Sequence, residues 1–433
     1  MSPLVVVVLG FAGLFALIVL HVPIGFAMMI VGAAGFAYFV GVAPALSIFG
    51  NEVAANFSNA DLASVPVFLL MGGFASAAGL SADLYRFADA FVGHRRGGLA
   101  VATIGGCAGF GALCGSTLAT VGSMHRIAYP EMVNRNYSPH FAAATIAVGG
   151  TLGILVPPSI IMVIYGVLTE TFVVDLYVAA IVPSVMAVLF YVAAVQVYCR
   201  LWPEHAPRGE RADWRKRAME TFRTWGVLLM VLVVTGGLYA GFFTALEAAA
   251  VGATTAFAFY VFRGYFSVAD FMRIMQETAT TAGLIYVMVI GASIFNYFIS
   301  VSQLPSQIIL AIETLSVSPV AIIAVILVTY IVLGAFFDEV ATMLITLPFV
   351  MPLIHLWGYD PLWWGIVNVT VVMIGLYCPP IGLNVMVMHG LVKNVPLRRI
   401  YHGSLPYLFA DFLRLALLVA VPAIATWLPS TMK

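Results

Sequence analysis

Long apolar segments recur along the whole chain, and they leave very few folds open to it. Runs of about 18 or more apolar residues have the length that an α-helix needs to cross a bilayer. Hydrophobic residues fill 62% of the 433 positions and charged residues only 9%, too little polar surface for a water-soluble fold of this size. The period-two alternation of a β-barrel is absent. The sequence therefore predicts an all-α polytopic protein embedded in the lipid bilayer.

The apolar segments predict membrane-spanning helices in both halves of the chain. Two further apolar stretches, 98–125 and 319–352, are interrupted by polar residues and glycines. The one long polar connection, 200–225, is predicted to be an amphipathic linker on the cytoplasmic membrane surface, between a first half, 1–199, and a second half, 226–433. The predicted spans are residues 3–20, 23–42, 61–80, 139–167, 176–198, 226–243, 245–262, 276–300, 362–391 and 404–428.

Basic residues indicate how these segments are oriented. Seventeen of the 19 lysines and arginines fall in five places, at residues 86–96, 126–135, 200–223, 263–273 and 393–399. All five lie on the cytoplasmic side, as the positive-inside rule requires, if both termini are outside and the interrupted stretches are re-entrant hairpins. The loops predicted for the outer side hold no lysine or arginine; they are residues 43–60, 168–175, 301–318 and 353–361.

Several classes of function are disfavoured. The formal net charge is zero, which argues against nucleic acid as a partner. The zinc-protease pattern HExxH, the nucleophile pattern GxSxG and paired carboxylates at helical spacing in the spans are all absent, so no enzyme activity is expected. The four cysteines lack the spacing of metal ligands, and no transition metal is expected; they are Cys107, Cys114, Cys199 and Cys378.

The strongest internal signal is self-similarity at a fixed offset of 222 residues. In the orientation derived from charge, the two copies enter the membrane from opposite sides and are therefore inverted. Inverted repeats with broken helices are typical of secondary transporters, which bind their cargo where the two repeats meet. The residues Ala119, Thr120, Pro130, Tyr137, Pro139, Gly153, Pro157 and Pro158 recur as Ala341, Thr342, Pro352, Tyr359, Pro361, Gly375, Pro379 and Pro380.

Each repeat contains a proline pair inside a predicted span, 139–167 in the first and 362–391 in the second. Two successive prolines remove backbone donors and clash with the preceding turn, so the helix must unwind there. The freed carbonyls need a partner inside the membrane, and Na⁺ is a hard cation that favours oxygen ligands. A proline kink without any ligand is the alternative, and the occurrence of two copies in register favours ion binding.

The tip of each interrupted stretch is polar and complements the helix break of its repeat. At the repeat offset Ser116 pairs with Asp338, and Thr120 pairs with Thr342. A carboxylate at membrane depth costs about 2.5–3.5 kcal/mol on insertion scales, so Asp338 is expected to have a cation partner or a water-filled cavity. A solvent-exposed helix N-cap is the alternative role for Asp338, and the role of the neighbouring Glu339 stays open.

Four segments carry a resemblance to a known family. They are Gly149–Ser159 (GGTLGILVPPS), Tyr165–Thr171 (YGVLTET), Gly236–Ala253 (GGLYAGFFTALEAAAVGA) and Gly375–Asn384 (GLYCPPIGLN). With these motifs the whole chain resembles the large permease subunit of the tripartite ATP-independent periplasmic (TRAP) transporters, within the ion transporter superfamily. The resemblance implies an elevator-type carrier with scaffold and transport domains.

The same resemblance implies Na⁺-coupled symport, the secondary active uptake of an organic acid across the bacterial inner membrane. The charge pattern predicts that both termini are periplasmic. The solute would come from a periplasmic binding protein. A small four-helix membrane subunit is implied as a separate partner chain, and no organic cofactor is implied. A Na⁺/dicarboxylate-type symporter that works without a binding protein is the alternative reading.

The resemblance also implies site residues. The first Na⁺ site would involve Gly115, Ser116, Gly150, Thr151 and Pro157. The second Na⁺ site would involve Gly334, Asp338, Gly375 and Pro379. The substrate would lie between the hairpin tips, near Thr117, Thr120, Thr342 and Asn384.

The sequence departs from the family pattern in the second repeat. An acidic residue is frequent at the position of Met373, and threonine is usual at the position of Cys378. Both departures bear on the second ion site and on substrate preference. The family's Thr-Pro-Thr-Glu stands here as Thr244 to Glu247, and Glu247 is either a helix cap or part of a hinge.

Overall fold

The computed structural model describes residues 2–315 and 318–432, and helices make up their regular secondary structure. The helices of the first half end with the long α11, whose last turns reach the linker. They are α1 (Pro3–Val19), α2 (Ile24–Val40), α3 (Val42–Ser58), α4 (Ala60–Ala77), α5 (Leu80–Val92), α6 (Gly98–Cys114), α7 (Thr117–Asn134), α8 (Pro139–Gly150), α9 (Leu152–Leu155), α10 (Ile160–Thr169) and α11 (Val173–Leu201).

The linker contains a short 3₁₀ turn, Pro203–His205, and one amphipathic helix, and the second half follows directly. The linker helix is α12 (Trp214–Arg223). The helices that follow are α13 (Trp225–Tyr239), α14 (Ala245–Phe262), α15 (Val268–Val301), α16 (Leu304–Leu315), α17 (Pro319–Phe336), α18 (Glu339–Leu356), α19 (Pro361–Gly375), α20 (Leu383–Leu391), α21 (Leu397–Ala420) and α22 (Ala423–Thr431).

Many of these helices are long and apolar enough to cross a membrane. Among the described residues, α4, α11, α14, α15, α17, α18 and α21 meet that test individually. The pair α8–α9 and α10 meets it as one span bent by 41°, and α12 with α13 meets it with a bend of 46°. Shorter apolar helices α1, α2, α6 and α19 complete the set. The predicted all-α polytopic membrane fold is confirmed.

Two predicted connections are wrong in part. The loop predicted at 43–60 is largely helix α3, whose polar residues Glu52 and Asn56 lower its hydropathy although it packs beside α2 and α15. The loop predicted at 301–318 contains helix α16; its residues 316 and 317 lie outside the described residues. The last predicted span, 404–428, divides into α21 and α22 because Pro422 interrupts it.

Both interrupted stretches fold as helical hairpins. In the first hairpin, the chain turns at Gly115 and Ser116 between α6 and α7. The open end of this hairpin is joined by a hydrogen bond from the Leu99 amide to Tyr137 Oη, at 3.2 Å. In the second hairpin, α17 and α18 turn at Phe337 and Asp338. The structure thus gives each repeat a hairpin followed by a broken helix, in the order that the sequence predicted.

Ion pairs gather the basic segments at one end of the bundle. Arg135, at the base of the first hairpin, pairs with Asp89 at 3.0 Å. Asp83 lies 2.7 Å from Arg86 and also pairs with Arg263 at the end of α14. Linker contacts join the same cluster, since Arg86 also lies 3.8 Å from Glu220 of α12. We call this region the basic end.

The base of the second hairpin lies at the other end of the bundle. Helix α10 leads away from the basic end, and its Tyr165 Oη donates to the Pro361 carbonyl at 2.8 Å, beside the start of α19. Tyr165 also contacts Met351 Sδ in the last turns of α18. The two hairpins therefore enter the bundle from opposite ends, as inverted repeats require.

Candidate functional site

The two hairpins meet at their tips. Thr117, the first residue of α7, donates a hydrogen bond from Oγ1 to Oε1 of Glu339, the first residue of α18, at 3.1 Å. These two residues are separated by 222 positions, so they are equivalent in the two repeats. The contact therefore lies where the inverted repeats approach each other, which is the position that secondary transporters use for their cargo.

The residues just before these two are helix N-caps. The Ser116 hydroxyl accepts from the Ala119 amide at 3.5 Å, and Asp338 Oδ1 accepts from the Ala341 amide at 2.8 Å. Ser116 and Asp338 correspond at the repeat offset, and each of them caps the N-terminus of its own helix. Asp338 is therefore an N-cap, which is the alternative role stated above. Its carboxylate has a second oxygen, and this oxygen can accept a further ligand.

Two adjacent carboxylates, Asp338 and Glu339, stand at this meeting point, and both are half-buried. Within residues 2–315 and 318–432 no lysine, arginine or histidine forms an ion pair with either of them. Like charges side by side in a partly desolvated site favour the binding of a cation. The oxygen donors present suit a hard alkali cation.

The first helix break runs from the end of α9 at Leu155 to the start of α10 at Ile160. Two of its freed carbonyls already have protein partners. The Ser159 hydroxyl donates to the Ile154 carbonyl at 2.5 Å, and the Ser184 hydroxyl donates to the Leu155 carbonyl at 3.0 Å. The expectation that the freed carbonyls need an ion therefore does not apply to these two.

At the second break, between α19 and α20, the hydrogen bonds come from other groups. The Gly382 amide donates to the Ala335 carbonyl of the second hairpin at 3.0 Å, and Gly382 has a left-handed φ of +55°. Tyr401 Oη donates to the Pro380 carbonyl at 3.0 Å. Pro379 and Pro380 are exposed, whereas the first proline pair is buried. Sequence reasoning missed Gly382 and Tyr401 as residues that shape this break.

Glycines bring each hairpin against the broken helix of its own repeat. A Cβ atom added to Gly111 would stand 2.7 Å from Gly153 Cα, and one added to Gly375 would stand 2.7 Å from Gly334 Cα. Such distances leave no room for a side chain. A Cβ on Gly115 would lie 3.0 Å from the Pro158 carbonyl oxygen, so the first tip also lies beside its break.

The predicted ion-site residues take different positions. Gly115 and Ser116 are at the first tip, and Gly150 lies against the first turn of α7, because its Cβ would stand 3.4 Å from the Thr117 carbonyl. Pro157 is in the buried break. Thr151 is directed elsewhere: its hydroxyl donates to the Val148 carbonyl at 2.7 Å and lies 3.3 Å from Tyr191 Oη.

In the second repeat, Gly334 and Gly375 are in backbone contact, as described above. Asp338 caps α18 at the hairpin tip. Pro379 lies in the exposed break. Cys378, the departure next to that proline, keeps helical backbone contacts, since its amide donates to the Ile374 carbonyl at 3.0 Å.

The predicted substrate residues are all buried, but their polar atoms differ. Thr117 is bonded to Glu339, and the Thr120 hydroxyl donates to the Ser116 carbonyl at 2.8 Å within its own hairpin. Asn384 donates to the Ala147 carbonyl of the other repeat at 3.1 Å. Thr342 Oγ1 and Asn384 Oδ1 have no hydrogen-bond partner in the described part of the chain. Buried polar atoms without partners are rare and indicate a water, ion or ligand.

A fully buried ion pair lies behind both breaks. Asp411 and Arg414 of α21 are 2.8 Å apart and neither side chain has solvent access. Asp411 Oδ2 accepts hydrogen bonds from Tyr191 Oη at 2.7 Å and from Tyr377 Oη at 2.6 Å. Since Tyr191 lies next to Thr151 of the first repeat and Tyr377 precedes the second proline pair, this carboxylate connects the two breaks.

Sequence reasoning missed this pair, although two opposite charges three residues apart in an apolar span are a signal of function or structure. Arg414 also lies 3.9 Å from Met373 Sδ, at the position where an acidic residue is frequent in the family. Thr151 and Met373 are equivalent at the repeat offset. The two repeats therefore approach the same buried ion pair with different side chains, Thr151 in the first and Met373 in the second. The carboxylate that pairs with Arg414 is Asp411 of the same helix, α21.

Comparison with known proteins agrees with this architecture. The family model described as the DctM component of the tripartite ATP-independent periplasmic transporters matches residues 11–424. The chain belongs to this family. Its identity as a TRAP large permease subunit confirms the predicted resemblance, and a permease fits the expectation of a protein that is not an enzyme.

Two relatives and one solved structure illustrate the likeness. The C4-dicarboxylate TRAP transporter large permease protein DctM of Pseudomonas aeruginosa is 35% identical over 372 residues, 85% of this chain and 86% of that protein. The isethionate TRAP transporter permease protein DctMQ of Oleidesulfovibrio alaskensis is 31% identical over 434 residues, 98% of this chain and 65% of that protein. The YdaH transporter of Alcanivorax borkumensis has the same fold, with a TM-score of 0.63 at 18% identity over 88% and 89% of the two chains.

This TRAP permease has a cavity with a mixed polar and apolar lining at the end opposite the basic end. The cavity has a volume of about 580 Å³ and separates α3 and α15 from α10 and α18. Its lining includes Glu52, Asn56, Glu170, Asn296 and Tyr297. Tyr297 Oη donates to Glu52 Oε1 at 3.0 Å. These two pairs of helices are thus separated in part by an open cavity with both polar and apolar walls.

The glycine contacts give a first prediction. Gly375→Ala places a methyl group against Gly334 Cα, and we expect it to lower the free energy of unfolding by about 1–3 kcal/mol, through overpacking. Gly390→Ala is the matched control, because nothing lies within 4 Å of its added Cβ. Thermal unfolding of the purified chain in detergent measures both. Equal melting temperatures for the two variants would contradict the proposed close contact.

The buried ion pair gives a second prediction. Asp411→Ala leaves Arg414 charged and without its carboxylate partner, and we expect a loss of about 3–5 kcal/mol in unfolding free energy. Asp270→Ala, which removes an exposed pair with Arg273 at the same spacing, should change it by less than about 1 kcal/mol. Thermal unfolding again provides the measurement. A similar small effect at both positions would show that the buried pair is not structural.

Proposed function

We propose that this TRAP permease is the translocating subunit of a Na⁺-coupled symporter that takes up an organic acid across the bacterial inner membrane. The observation that carries the proposal is the meeting of the two hairpin tips at Thr117 and Glu339. Among the described residues neither Glu339 nor the adjacent Asp338 has a basic partner. Cation binding there neutralises the carboxylates, and the inverted repeats allow the site to face either side in turn.

The coupling ion is proposed to bind at both tip-and-break junctions. The first junction offers Ser116 and the backbone around Gly115, Gly150 and Pro157. The second offers Asp338 with the backbone around Gly334, Gly375 and Pro379. In this proposal Na⁺ supplies charge neutralisation and fixes the hairpins against the breaks. Thr151 has a different role, because its hydroxyl is directed to the buried Asp411 network.

More than one Na⁺ in each cycle is consistent with uptake against a steep gradient. One elementary charge that moves down 100 mV supplies only about 2.3 kcal/mol. Two junctions built on the same plan provide two places for a cation. The buried pair of Asp411 and Arg414 holds the two breaks at a fixed separation, which supports binding of both ions to one rigid unit.

The solute is proposed to lie between the tips, where Thr342 Oγ1 and Asn384 Oδ1 lack partners in the described residues. The hairpin tips carry no lysine or arginine, so the charge of an organic acid would be balanced by bound Na⁺ and by the N-terminal ends of the half-helices α10 and α20. The relatives compared above carry C4-dicarboxylate and isethionate in their names, which supports an organic anion.

An elevator movement is proposed for translocation. The hairpins and broken helices would form the moving transport domain, and helices such as α3 and α15 would belong to the scaffold. The open cavity of about 580 Å³ between these groups supports this division, because a boundary with a gap resists sliding less than an interdigitated core. In this proposal both termini are periplasmic and the basic end faces the cytoplasm.

Two protein partners are proposed, a periplasmic solute-binding protein and a small four-helix membrane subunit on a separate chain. The family name, a tripartite periplasmic transporter, supports both.

Transport assays test the coupling. Proteoliposomes that contain this chain, the small subunit and the binding protein should accumulate solute with an inward Na⁺ gradient and not with choline. Asp338→Asn should raise the Na⁺ concentration for half-maximal uptake about tenfold or more, since it removes the charge at the second junction. Asp270→Asn, an exposed carboxylate, is the control. Equal uptake in choline would contradict Na⁺ coupling, and uptake without the binding protein would favour the independent symporter.

The tip contact can be tested separately. Glu339→Gln keeps an acceptor for Thr117 and removes one charge, whereas Thr117→Val removes the hydrogen bond and keeps the charge. We expect Glu339→Gln to weaken the Na⁺ dependence of uptake at least several-fold and Thr117→Val to change it little. Measured Na⁺ activation curves that are equal in both variants would show that the charge of Glu339 has no part in coupling.

A further inference from the structure

A second cavity lies at the basic end, far from the hairpin tips. It has a volume of about 430 Å³ and is formed by the loop between α5 and α6, the end of α11 and the linker. Its lining contains four arginines and no carboxylate. The lining residues are His94, Arg95, Arg96, Gln196, Cys199, Arg200 and Arg208.

These arginines differ from four others at the same end. Arg86, Arg135, Arg223 and Arg263 each pair with an aspartate or glutamate within 4.0 Å. In the described residues no aspartate or glutamate pairs with any arginine of the cavity lining. Several positive charges around one open cavity repel each other, and an anion in that cavity would relieve the repulsion.

His94 supplies an independent observation. Its Nδ1 atom is buried and has no hydrogen-bond partner in the part of the chain that the structure describes. Desolvation lowers the pKa of His94, and the charges of Arg217, Arg95 and Arg211 lower it further. A neutral imidazole can donate from Nδ1, and an anion oxygen is the kind of acceptor that is missing there.

The walls of the cavity are held in place by backbone contacts. The Arg95 amide donates to the Val92 carbonyl at 3.0 Å, and the Gly98 amide donates to the Arg95 carbonyl at 2.8 Å, so the loop is a hydrogen-bonded turn. Gly209 of the linker lies against this loop, where its added Cβ would stand 2.5 Å from the Gly93 carbonyl oxygen. The arginines therefore project from a defined frame.

We propose that this cavity binds a phosphoryl group, which is either the headgroup of an anionic phospholipid or a soluble phosphate ester. Planar guanidinium groups match phosphate oxygens in bidentate geometry, and basic pockets at the cytoplasmic membrane surface bind anionic headgroups. Leu201 and Trp202, next to Arg200, are 63% and 43% exposed and give the cavity an apolar border that acyl chains can contact. Occupancy would tie the loop, α11 and the linker together.

Thermal unfolding of the full-length chain in detergent tests the site without any transport assay. Short-chain phosphatidylglycerol should raise the melting temperature in a saturable way, and phosphatidylcholine with the same acyl chains should not. Arg95→Gln combined with Arg208→Gln should raise the half-saturating concentration about tenfold or more. Arg398→Gln combined with Arg399→Gln removes the same charge at the basic end outside the cavity and should behave like the wild type.

A parallel titration with inorganic phosphate at constant ionic strength distinguishes the two sources. Saturation by phosphate but not by phosphatidylglycerol supports the site with a soluble ligand, and the reverse supports the lipid. Native mass spectrometry of the wild-type chain keeps the test decisive if the cavity variant does not fold, since phosphatidylglycerol should be retained in preference to phosphatidylcholine. Equal retention of the two lipids, or equal titrations of the cavity variant and the wild type, would overturn the proposal.

Discussion

A backbone carbonyl freed inside an apolar helical bundle must find a partner, and the rest of this structure depends on that constraint. The two proline pairs interrupt α8–α10 in a buried break and α19–α20 in a break whose prolines are exposed. Hydroxyl groups donate to some of the carbonyls at these breaks: those of Ser159 and Ser184 in the first repeat and that of Tyr401 in the second. The hairpin tips then approach the breaks through glycine contacts. Each junction combines carbonyls, a capping oxygen and a close backbone, which is the chemistry that suits a hard cation.

The two junctions are united by a single carboxylate. Asp411 accepts from Tyr191 and Tyr377, and Arg414 balances its charge, so one buried cluster contacts both broken helices. A buried ion pair of this kind adds little net stability over apolar packing, but removal of one partner is strongly unfavourable. Its value here is geometric, because it fixes the separation of two junctions that come from distant parts of the chain.

Much of the fold could be predicted from the sequence because its signals are local. Successive prolines break a helix wherever they occur, and the 222-residue offset made the repeat visible without any contact information. The hairpins followed from the positions of the basic residues. Helix α3 was missed because Glu52 and Asn56 lower its hydropathy, and the partners of the freed carbonyls were missed because they are tertiary. Tyr191 and Asp411, for example, are 220 residues apart, and no local pattern joins them. The orientation of Thr151 toward Tyr191 was unpredictable for the same reason.

The central claim is that cations bind where the hairpin tips meet the breaks. The most direct test is a pair of high-resolution cryo-EM maps of the transporter complex, one in NaCl and one in choline chloride. We expect compact density among oxygen atoms near Ser116 and near Asp338 in NaCl, and its loss in choline. Maps that are identical in the two salts, with only protein or water contacting the Asp338 carboxylate, would contradict it.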